Sequence, residues 1–341
     1  HKPLKPQACH SIGFFYIRDH GVDLETCDAV VDAARQFFAL PCADKMTIDN
    51  RHSPAFRGYI QLGAENTAGS PDHREQVEFG VEADAPDATA LASPDVPPYR
   101  RLVGPNQWPD PATAPGFKPA VVDFLNSMEE LSMRIMELLA ISLDLSGDYF
   151  QPSFGEDPNV QMKMARYPPA PASSEDRNSG DASSNAGEGV GCFGVGAHTD
   201  SGYLSILLQD DVGGLQVQNG DGDWIDAPPL PGCMVVNLGE MLQLCTRGYY
   251  LATPHRVVSR PCSTRRDRIS VPYFWNPGLD AVVAAVDPMP ATLSWARPRP
   301  ATVAATGSHG VGGNSLLEAY GANALKSLAR SHPQVMARHH A

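Results

Sequence analysis

The feature that most constrains the fold is a series of short apolar runs in the second half of the chain. After residue 159, apolar residues alternate with polar ones or stand briefly together, and Gly, Pro and Asp separate the runs. The runs are "VQMKMARY", "LSILLQ", "GLQVQ", "GCMVVNL", "RISVPYFW" and "AVVAAV". Short strands joined by turns are typical of all-β barrels and sandwiches. We therefore predict a β-rich core over residues 159–290.

The first part of the chain, residues 1–158, is predicted to be a helical and loop region that packs on this core. Residues 27–40 have apolar residues at helical spacing and stop before a proline. A longer amphipathic helix is expected to end near Gly147. Its apolar stripe consists of Val121, Phe124, Met128, Leu131, Ile135 and Leu138. Residues 71–115 are rich in Pro, Asp and Ala and are predicted to be mostly loop.

Two further segments differ in composition from the β-rich region. Residues 170–189 contain almost no large apolar side chains. Such a segment cannot bury enough surface to offset its ordering entropy, so we predict a mobile insert. The insert precedes the strand with the candidate site, and it acts either as a lid over substrate or as surface decoration. Residues 291–341 are predicted to form a C-terminal helical tail.

Net charge, hydropathy and cysteine usage limit the partners of the chain. The formal net charge is −13 at pH 7, whereas nucleic acids and anionic membranes are bound by basic surfaces. No run of about 18 apolar residues predicts a membrane span. The seven cysteines are odd in number and lack a C-x-x-C pair, which favours reduced thiols in the cytoplasm. We expect a cytoplasmic monomer that binds neither nucleic acid nor membranes.

Polar residues recur within the predicted strands at positions whose side chains share one face. His198 and Asp200 stand two residues apart, as do Arg268 and Ser270, and His255 begins another apolar stretch. Side chains at i and i+2 of a strand point to the same side. An isolated H-x-D is usually a surface histidine beside a turn-forming aspartate. The second histidine and the second pair favour convergence of all these side chains inside a barrel.

These residue types fit a particular chemistry. Two imidazoles and one carboxylate on one face of a metal form the facial triad of non-haem Fe(II) oxygenases, which leaves other positions open for a co-substrate and O₂. A structural zinc site would have four protein ligands, usually including cysteine, and no cysteine lies near enough in sequence to suggest such a site. Arg268 and Ser270 suit a carboxylate, because the guanidinium binds both oxygens and the hydroxyl adds another bond.

Several stretches resemble a known family. "GAHTDSGYLSILLQDDVGGLQVQ", "YLATPHRV" and "RISVPYFWNP" resemble the iron- and 2-oxoglutarate-dependent dioxygenases of the isopenicillin N synthase-like superfamily. "SIGFFYIRDHGV", "RQFFALPCADKM" and "RGYIQLGAENTAG" resemble its helical N-terminal domain. The resemblance covers nearly the whole chain. It implies a double-stranded β-helix (jelly-roll) core and Fe(II) bound by His198, Asp200 and His255. It also implies oxidation of a small organic molecule, by default hydroxylation, with consumption of O₂ and 2-oxoglutarate and release of succinate and CO₂.

The resemblance also implies roles for residues around the metal. Arg268 and Ser270 would bind the distal carboxylate of 2-oxoglutarate, and Tyr167 matches a position that often helps to bind this co-substrate. Phe274 matches a wall position that stacks on substrate. The chain departs from the family at Ala165, where plant members often have an asparagine near the iron.

Two alternative functions remain open at this point. The first is an Fe(II) oxidase of the same fold that uses no 2-oxoglutarate, in which the R-x-S pair binds the substrate's own carboxylate. The second is a non-catalytic jelly-roll binding protein, which would have no use for a metal with open positions.

Other polar residues are given no role in the site. Arg57 and Glu65 are interpreted as ordinary polar loop residues within reach of substrate. The histidines outside the pattern are expected to be surface or capping groups; they are His10, His20, His52, His73, His309, His332, His339 and His340.

Overall fold

The computed structural model of the 341-residue chain describes residues 6–67, 70–155, 157–169, 193–259, 266–287, 290, 293 and 319–340. The predicted insert at 170–189 and His309 lie outside these described ranges. None of the helices in the described part of the chain combines the length and the apolar character needed to cross a membrane.

The elements follow one another as helices and strands in mixed order. The helices are α1 (Pro6–Ser11), α2 (Leu24–Ala39), α3 (Cys42–Met46), α4 (Ala88–Leu91), α5 (Phe117–Ser142), α6 (Gln151–Phe154), α7 (Glu240–Cys245), α8 (Tyr320–Ser331) and α9 (Pro333–His339). The strands are β1 (Phe14–Arg18), β2 (Gly58–Ile60), β3 (Asn66–Thr67), β4 (Ser70–Pro71), β5 (Glu75–Gly80), β6 (Asn159–Tyr167), β7 (Phe193–His198), β8 (Leu204–Gln209), β9 (Leu215–Gln218), β10 (Trp224–Asp226), β11 (Cys233–Leu238), β12 (His255–Val258) and β13 (Arg268–Asn276). Short 3-10 helices cover Asn50–His52 and Pro98–Leu102.

Two antiparallel sheets face each other. Among the described strands, the major sheet has the order β1-β11-β8-β13-β6-β5-β2 and the minor sheet the order β10-β9-β12-β7. Their inner faces meet at small apolar clusters, in one of which Tyr167 and Ala165 of the major sheet pack against Val195 and Val257 of the minor sheet. This close approach requires Gly194, because a Cβ there would lie 2.5 Å from the Tyr167 ring. The predicted fold class, a mainly β jelly-roll with flanking helices, is confirmed.

Helices α2 and α5 cover the outer face of the major sheet. Strand β13 alternates, so that Ile269 and Tyr273 face this helical layer while Arg268 and Ser270 face the sandwich interior. The helices predicted at 27–40 and from Val121 onward are present. The longer one ends at Ser142, before the expected Gly147. Its stripe is buried as predicted from Val121 to Ile135, but at the end Leu139 is buried and Leu138 is 41% exposed.

The N-terminal region contributes strands as well as helices. Strand β1 pairs with β11, and β5 pairs with β6, so both belong to the major sheet. The prediction of mostly loop for residues 71–115 was therefore wrong over Glu75–Gly80. All six residues of β5 are buried. Val77 and Phe79 alternate with Gln76 and Glu78, but the polar residues are as buried as the apolar ones, so the strand has no exposed polar face.

The apolar run "AVVAAV" at 281–286 does not form the predicted strand. Only Val282 makes a bridge, to Ala319. Val282 is 68% exposed, whereas Val286 is 1% exposed and packs on the core. The run is therefore an irregular segment from which Val283 and Val286 pack on the core, and periodicity does not distinguish it from a strand.

Candidate active site

A cavity of about 240 Å³ lies between the two sheets. Its walls come from the inner faces of β6, β8 and β13, from β7 and β12 of the minor sheet, and from α8 of the C-terminal tail. Every residue predicted from the sequence as a metal, co-substrate or substrate contact lines this cavity; they are His198, Asp200, His255, Arg268, Ser270, Tyr167 and Phe274. The fold therefore brings together residues that are far apart in the chain.

His198, Asp200 and His255 form a compact cluster. One ligand atom of each lies within 4.8 Å of the others. The Nε2 atoms of both histidines are 3.8 Å from Asp200 Oδ1. The two imidazoles are brought together by pairing of β7 with β12, in which His198 is directly opposite His255.

Backbone carbonyls orient both imidazoles. His198 Nδ1 lies 2.9 Å from the Gly196 carbonyl oxygen, and His255 Nδ1 lies 3.2 Å from that of Thr253. A proton on Nδ1 that is donated to a carbonyl leaves Nε2 as a free lone pair. Burial, with the neighbouring His255, lowers the pKa of His198 to about 4, which keeps this ring neutral at physiological pH.

Asp200 lies just beyond β7 and is held there by side chains from two other strands. The sequence interpretation placed the whole H-x-D pair in a strand, but β7 ends at His198. Asp200 Oδ2 accepts hydrogen bonds from Ser205 Oγ at 2.5 Å and from Asn237 Nδ2 at 2.6 Å. Burial opposes ionisation, but His255, His198 and these hydrogen bonds bring the Asp200 pKa below its usual value. The other oxygen, Oδ1, is directed toward the histidines.

Arg268 is a buried cation with unused donors at the other end of the cavity. It is 3% exposed, and its Nη2 donates to Gln209 Oε1 at 3.1 Å. Its Nε and Nη1 are buried and have no hydrogen-bond partner in the described part of the protein. Its guanidinium also lies 4.9 Å from the centre of the Tyr167 ring. An anion bound here would accept hydrogen bonds from these free N–H groups.

Ser270 and Tyr167 complete this end of the cavity. Burial raises the pKa of Tyr167, but Arg74, Arg268 and a hydrogen bond with Ser270 bring it below its usual value. Ser270 pairs in register with Ala165 on β6. Ala165 adds no polar group to this end of the cavity, where Arg268, Ser270, Tyr167 and Arg74 lie.

Sequence reasoning missed several cavity residues. Arg57 and Glu65, interpreted as loop polarity, are 8% and 5% exposed and line the cavity. Lys163 on β6 also lines it, although lysine side chains are mostly exposed in folded proteins. The tail helix α8 contributes Tyr320, Ala324, Ser327, Leu328, Arg330 and Ser331. No local pattern signals these residues, because only the tertiary fold brings them to the site.

His332 is the clearest correction among the remaining histidines. It was expected at the surface or as a cap, but it is 5% exposed, and its Nε2 lies 3.5 Å from Glu78 Oε1. Glu65, Glu78 and His332 have ligand atoms close enough for a second metal. The Lys163 ammonium already lies 2.9 Å from Glu78 and 3.3 Å from Glu65. Because this cation neutralises the carboxylates, the cluster is a buried ion network.

Two family models match the chain. The first, described as the non-haem dioxygenase in morphine synthesis N-terminal domain, matches residues 6–111. The second, the 2OG-Fe(II) oxygenase superfamily, matches residues 159–277. The second match includes both histidines, the aspartate and the R-x-S pair.

Individual proteins are similar over most of the chain. A probable iron/ascorbate oxidoreductase of Dictyostelium discoideum is 38% identical over 82% of this chain and 76% of its own length. A homoarginine-6-hydroxylase of Glycine max is 34% identical over 82% of this chain and 78% of its own. The crystal structure of a full-length Neurospora crassa protein in complex with alpha-KG and 5-formyluracil has a TM-score of 0.65 at 26% identity, covering 85% of this chain and 82% of that one.

Proposed function

The chain belongs to the 2OG-Fe(II) oxygenase superfamily, and from this premise we propose that His198, Asp200 and His255 bind its iron. It is an enzyme that uses Fe(II) and 2-oxoglutarate to oxidise a small molecule. The observation that supports this assignment most directly is the approach of both histidine Nε2 atoms to the same oxygen of Asp200, at 3.8 Å each. The two Nε2 atoms and this carboxylate oxygen together form a three-ligand set for a divalent metal.

The residues present fit Fe(II). Both imidazoles have Nδ1 at a backbone carbonyl, and the second oxygen of Asp200 is held by Ser205 and Asn237. Outer contacts of this kind fix the orientation of metal ligands. When bound, iron supplies the centre at which O₂ is activated. Asp200 brings a negative charge and the histidines bring none, so the set offsets only part of the charge of a divalent ion.

We further propose that Arg268, Ser270 and Tyr167 bind 2-oxoglutarate. The free N–H groups of Arg268 suit a carboxylate, and Ser270 on the same strand face offers a further donor. Phe274 is on this face of β13, six residues beyond Arg268, and is proposed to contact the organic substrate. The cavity is smaller than the roughly 300–1,000 Å³ of typical ligand pockets, which favours a small substrate. Hydroxylation is the proposed outcome.

Removal of each metal ligand tests the assignment. We expect His198→Ala, Asp200→Ala and His255→Ala each to lose stoichiometric Fe(II) binding, measured by anaerobic calorimetry and metal analysis, and to release no succinate. The fold should persist in each variant, because apolar strand faces hold the sheets together. His10→Ala is the matched control, since its Nδ1 contacts the Tyr249 carbonyl away from the cavity. Full Fe(II) binding in any of the three variants would refute the proposed ligand set.

The organic substrate can be identified by measuring which candidate compounds stimulate the release of succinate. Homoarginine and 5-formyluracil, named with the relatives above, are the first compounds to test because one has a carboxylate and the other has none.

We also propose that the enzyme is a cytoplasmic monomer with no nucleic-acid partner. The described cysteines Cys9, Cys27, Cys42, Cys233 and Cys245 are free thiols, which supports a reducing compartment. Light scattering of the purified protein tests the oligomeric state.

A further inference from the structure

Arg57 is a buried cation on the cavity wall whose hydrogen-bonding capacity is almost unused. A guanidinium has five N–H donors. Among the described residues, the guanidinium of Arg57 makes a single hydrogen bond, from Nη1 to the Phe79 carbonyl at 3.1 Å, and its Nε is buried without a partner there. Burial lowers its pKa to about 10, so the group is still charged at neutral pH. A buried charge without partners is costly, which indicates a site completed by an anion.

The nearby carboxylates do not supply this anion. Glu78 and Glu82 attract Arg57 electrostatically, but neither hydrogen-bonds with it. Their oxygens already accept other hydrogen bonds, those of Glu78 from Lys163, Gln161 and Gln76, and those of Glu82 from Asn106 and Trp108. The donors of Arg57 are therefore available to a ligand.

The backbone around Arg57 holds its side chain in place. The preceding residue, Phe56, has a φ of 62°, and the following residue, Gly58, has a φ of 116°. Non-glycine residues rarely adopt a positive φ, and such conformations persist where the surrounding structure requires them. The guanidinium lies directly over Gly80, where an added Cβ would be 2.0 Å from Arg57 Nη2. Gly80 therefore makes room for the charged group.

The register of the major sheet places Arg57 level with Asp200 and far from Arg268. Ser205, which binds Asp200, pairs with Phe274; Phe274 pairs with Gln161; and Gln161 pairs with Gly80. This row crosses three strand spacings, about 14 Å. Along β13, Arg268 lies six residues from Phe274, about 20 Å. Arg57 and Arg268 cannot bind the same small carboxylate.

We propose that Arg57 binds a carboxylate of the organic substrate, which makes the substrate a small carboxylic acid. This inference rests on the proposed function of the metal ligands and Arg268. The acid lies across the row between Asp200 and Gly80, with its carboxylate at Arg57 and its reacting carbon toward the His198–Asp200–His255 cluster. Gln161 and Phe274, which line the cavity between these ends, form the wall beside it.

A comparison of acids with their amides tests this proposal. Enzyme loaded anaerobically with Fe(II) and 2-oxoglutarate is titrated by calorimetry with homoarginine, small aliphatic and aromatic monocarboxylic acids, the primary amide of each, and 5-formyluracil. We expect at least one acid to bind about 10- to 100-fold more tightly than its amide, as charged hydrogen bonds predict. In Arg57→Met this ratio should fall to about one, and in Arg57→Lys it should be intermediate.

Two further variants separate this role from a structural one. Gly80→Ala retains the charge but displaces the guanidinium, so it should also reduce the acid-to-amide ratio. Arg51→Met removes an exposed arginine bound to Asp49 and should leave the ratio unchanged. Fe(II) and 2-oxoglutarate binding should be unaltered in all four variants, whereas failure of the proposed function would appear as retention of that binding in the metal-ligand and Arg268 variants. Equal binding of acids and amides by the wild type, binding of 5-formyluracil alone, or an undiminished ratio in Arg57→Met would overturn the proposal.

Discussion

At the scale of single residues, Lys163 neutralises two buried carboxylates beside the cavity. Its ammonium lies between Glu78 and Glu65, and Arg74 contacts the second oxygen of Glu65 at 2.7 Å. Removing one partner of a buried ion network leaves uncompensated charge and typically costs about 3–5 kcal/mol. We expect Lys163→Met to lower the free energy of unfolding by about this amount, measured by urea denaturation. Lys118→Met, at an exposed lysine, should cost less than about 1 kcal/mol.

The same network predicts how stability depends on pH. Burial opposes ionisation of Glu65, but Arg74, Lys163 and His332 lower its pKa from 4.5 to about 2. A folded-state pKa below the unfolded value stabilises the protein above pH 4.5, and this stability is lost as the pH falls toward 2. The contribution is on the order of 3 kcal/mol. Urea denaturation between pH 7 and about 3 should show a shallower acid-induced loss in Glu65→Gln, and identical profiles would contradict the assignment.

At the scale of elements, helix α8 closes the cavity from outside the β-sandwich. Ala324 is 8% exposed and lines the cavity opposite the sheet residues. We expect Ala324→Trp to fill the space proposed for the organic substrate and raise the KM of that substrate about tenfold or more, as overpacking of 1–3 kcal/mol predicts. The KM for the co-substrate should change little, because Arg268 and Ser270 are on strand β13.

Steady-state kinetics with each substrate varied in turn measure this effect. Ala337→Trp on α9 is the matched control, because Ala337 is exposed. If Ala324→Trp raised both KM values equally, α8 would support the whole cavity and not the substrate side alone.

The elements also show how far the sequence predicts this molecule. Strands β6, β8, β9, β11 and β13 could be predicted because their alternation is local. The metal-ligand pattern could be predicted for a similar reason, since His198 and Asp200 are close in sequence and His255 begins a strand. Strand β5 could not be predicted, because its polar residues are buried in a network formed by tertiary contacts. Arg57, Lys163 and α8 join the cavity through the same long-range packing, which no spacing in the sequence records.

At the scale of the whole molecule, the cavity joins both sheets, so binding there couples to global stability. Arg268 and Tyr167 belong to the major sheet, and both histidines belong to the minor sheet. A ligand that binds only the folded state stabilises it by about 2.7 kcal/mol at a hundredfold excess over its Kd. Unfolding entropies of about 2.1 cal/mol/K per residue then predict a rise in Tm of about 4 °C for a chain of 341 residues.

The proposed co-substrate site predicts which side chain carries this stabilisation. With Fe(II) present and O₂ excluded, 2-oxoglutarate should raise the Tm of the wild type, measured by scanning calorimetry. Arg268→Lys retains the charge but loses the planar pair of donors, so the Kd should rise about 10- to 100-fold and the shift should shrink. Arg268→Ala should lose nearly all of the shift in Tm. Arg266→Ala, at an exposed arginine paired with Asp211, should keep the full shift. An undiminished shift in Arg268→Ala would mean that 2-oxoglutarate binds elsewhere, and the free guanidinium nitrogens would then require another anion.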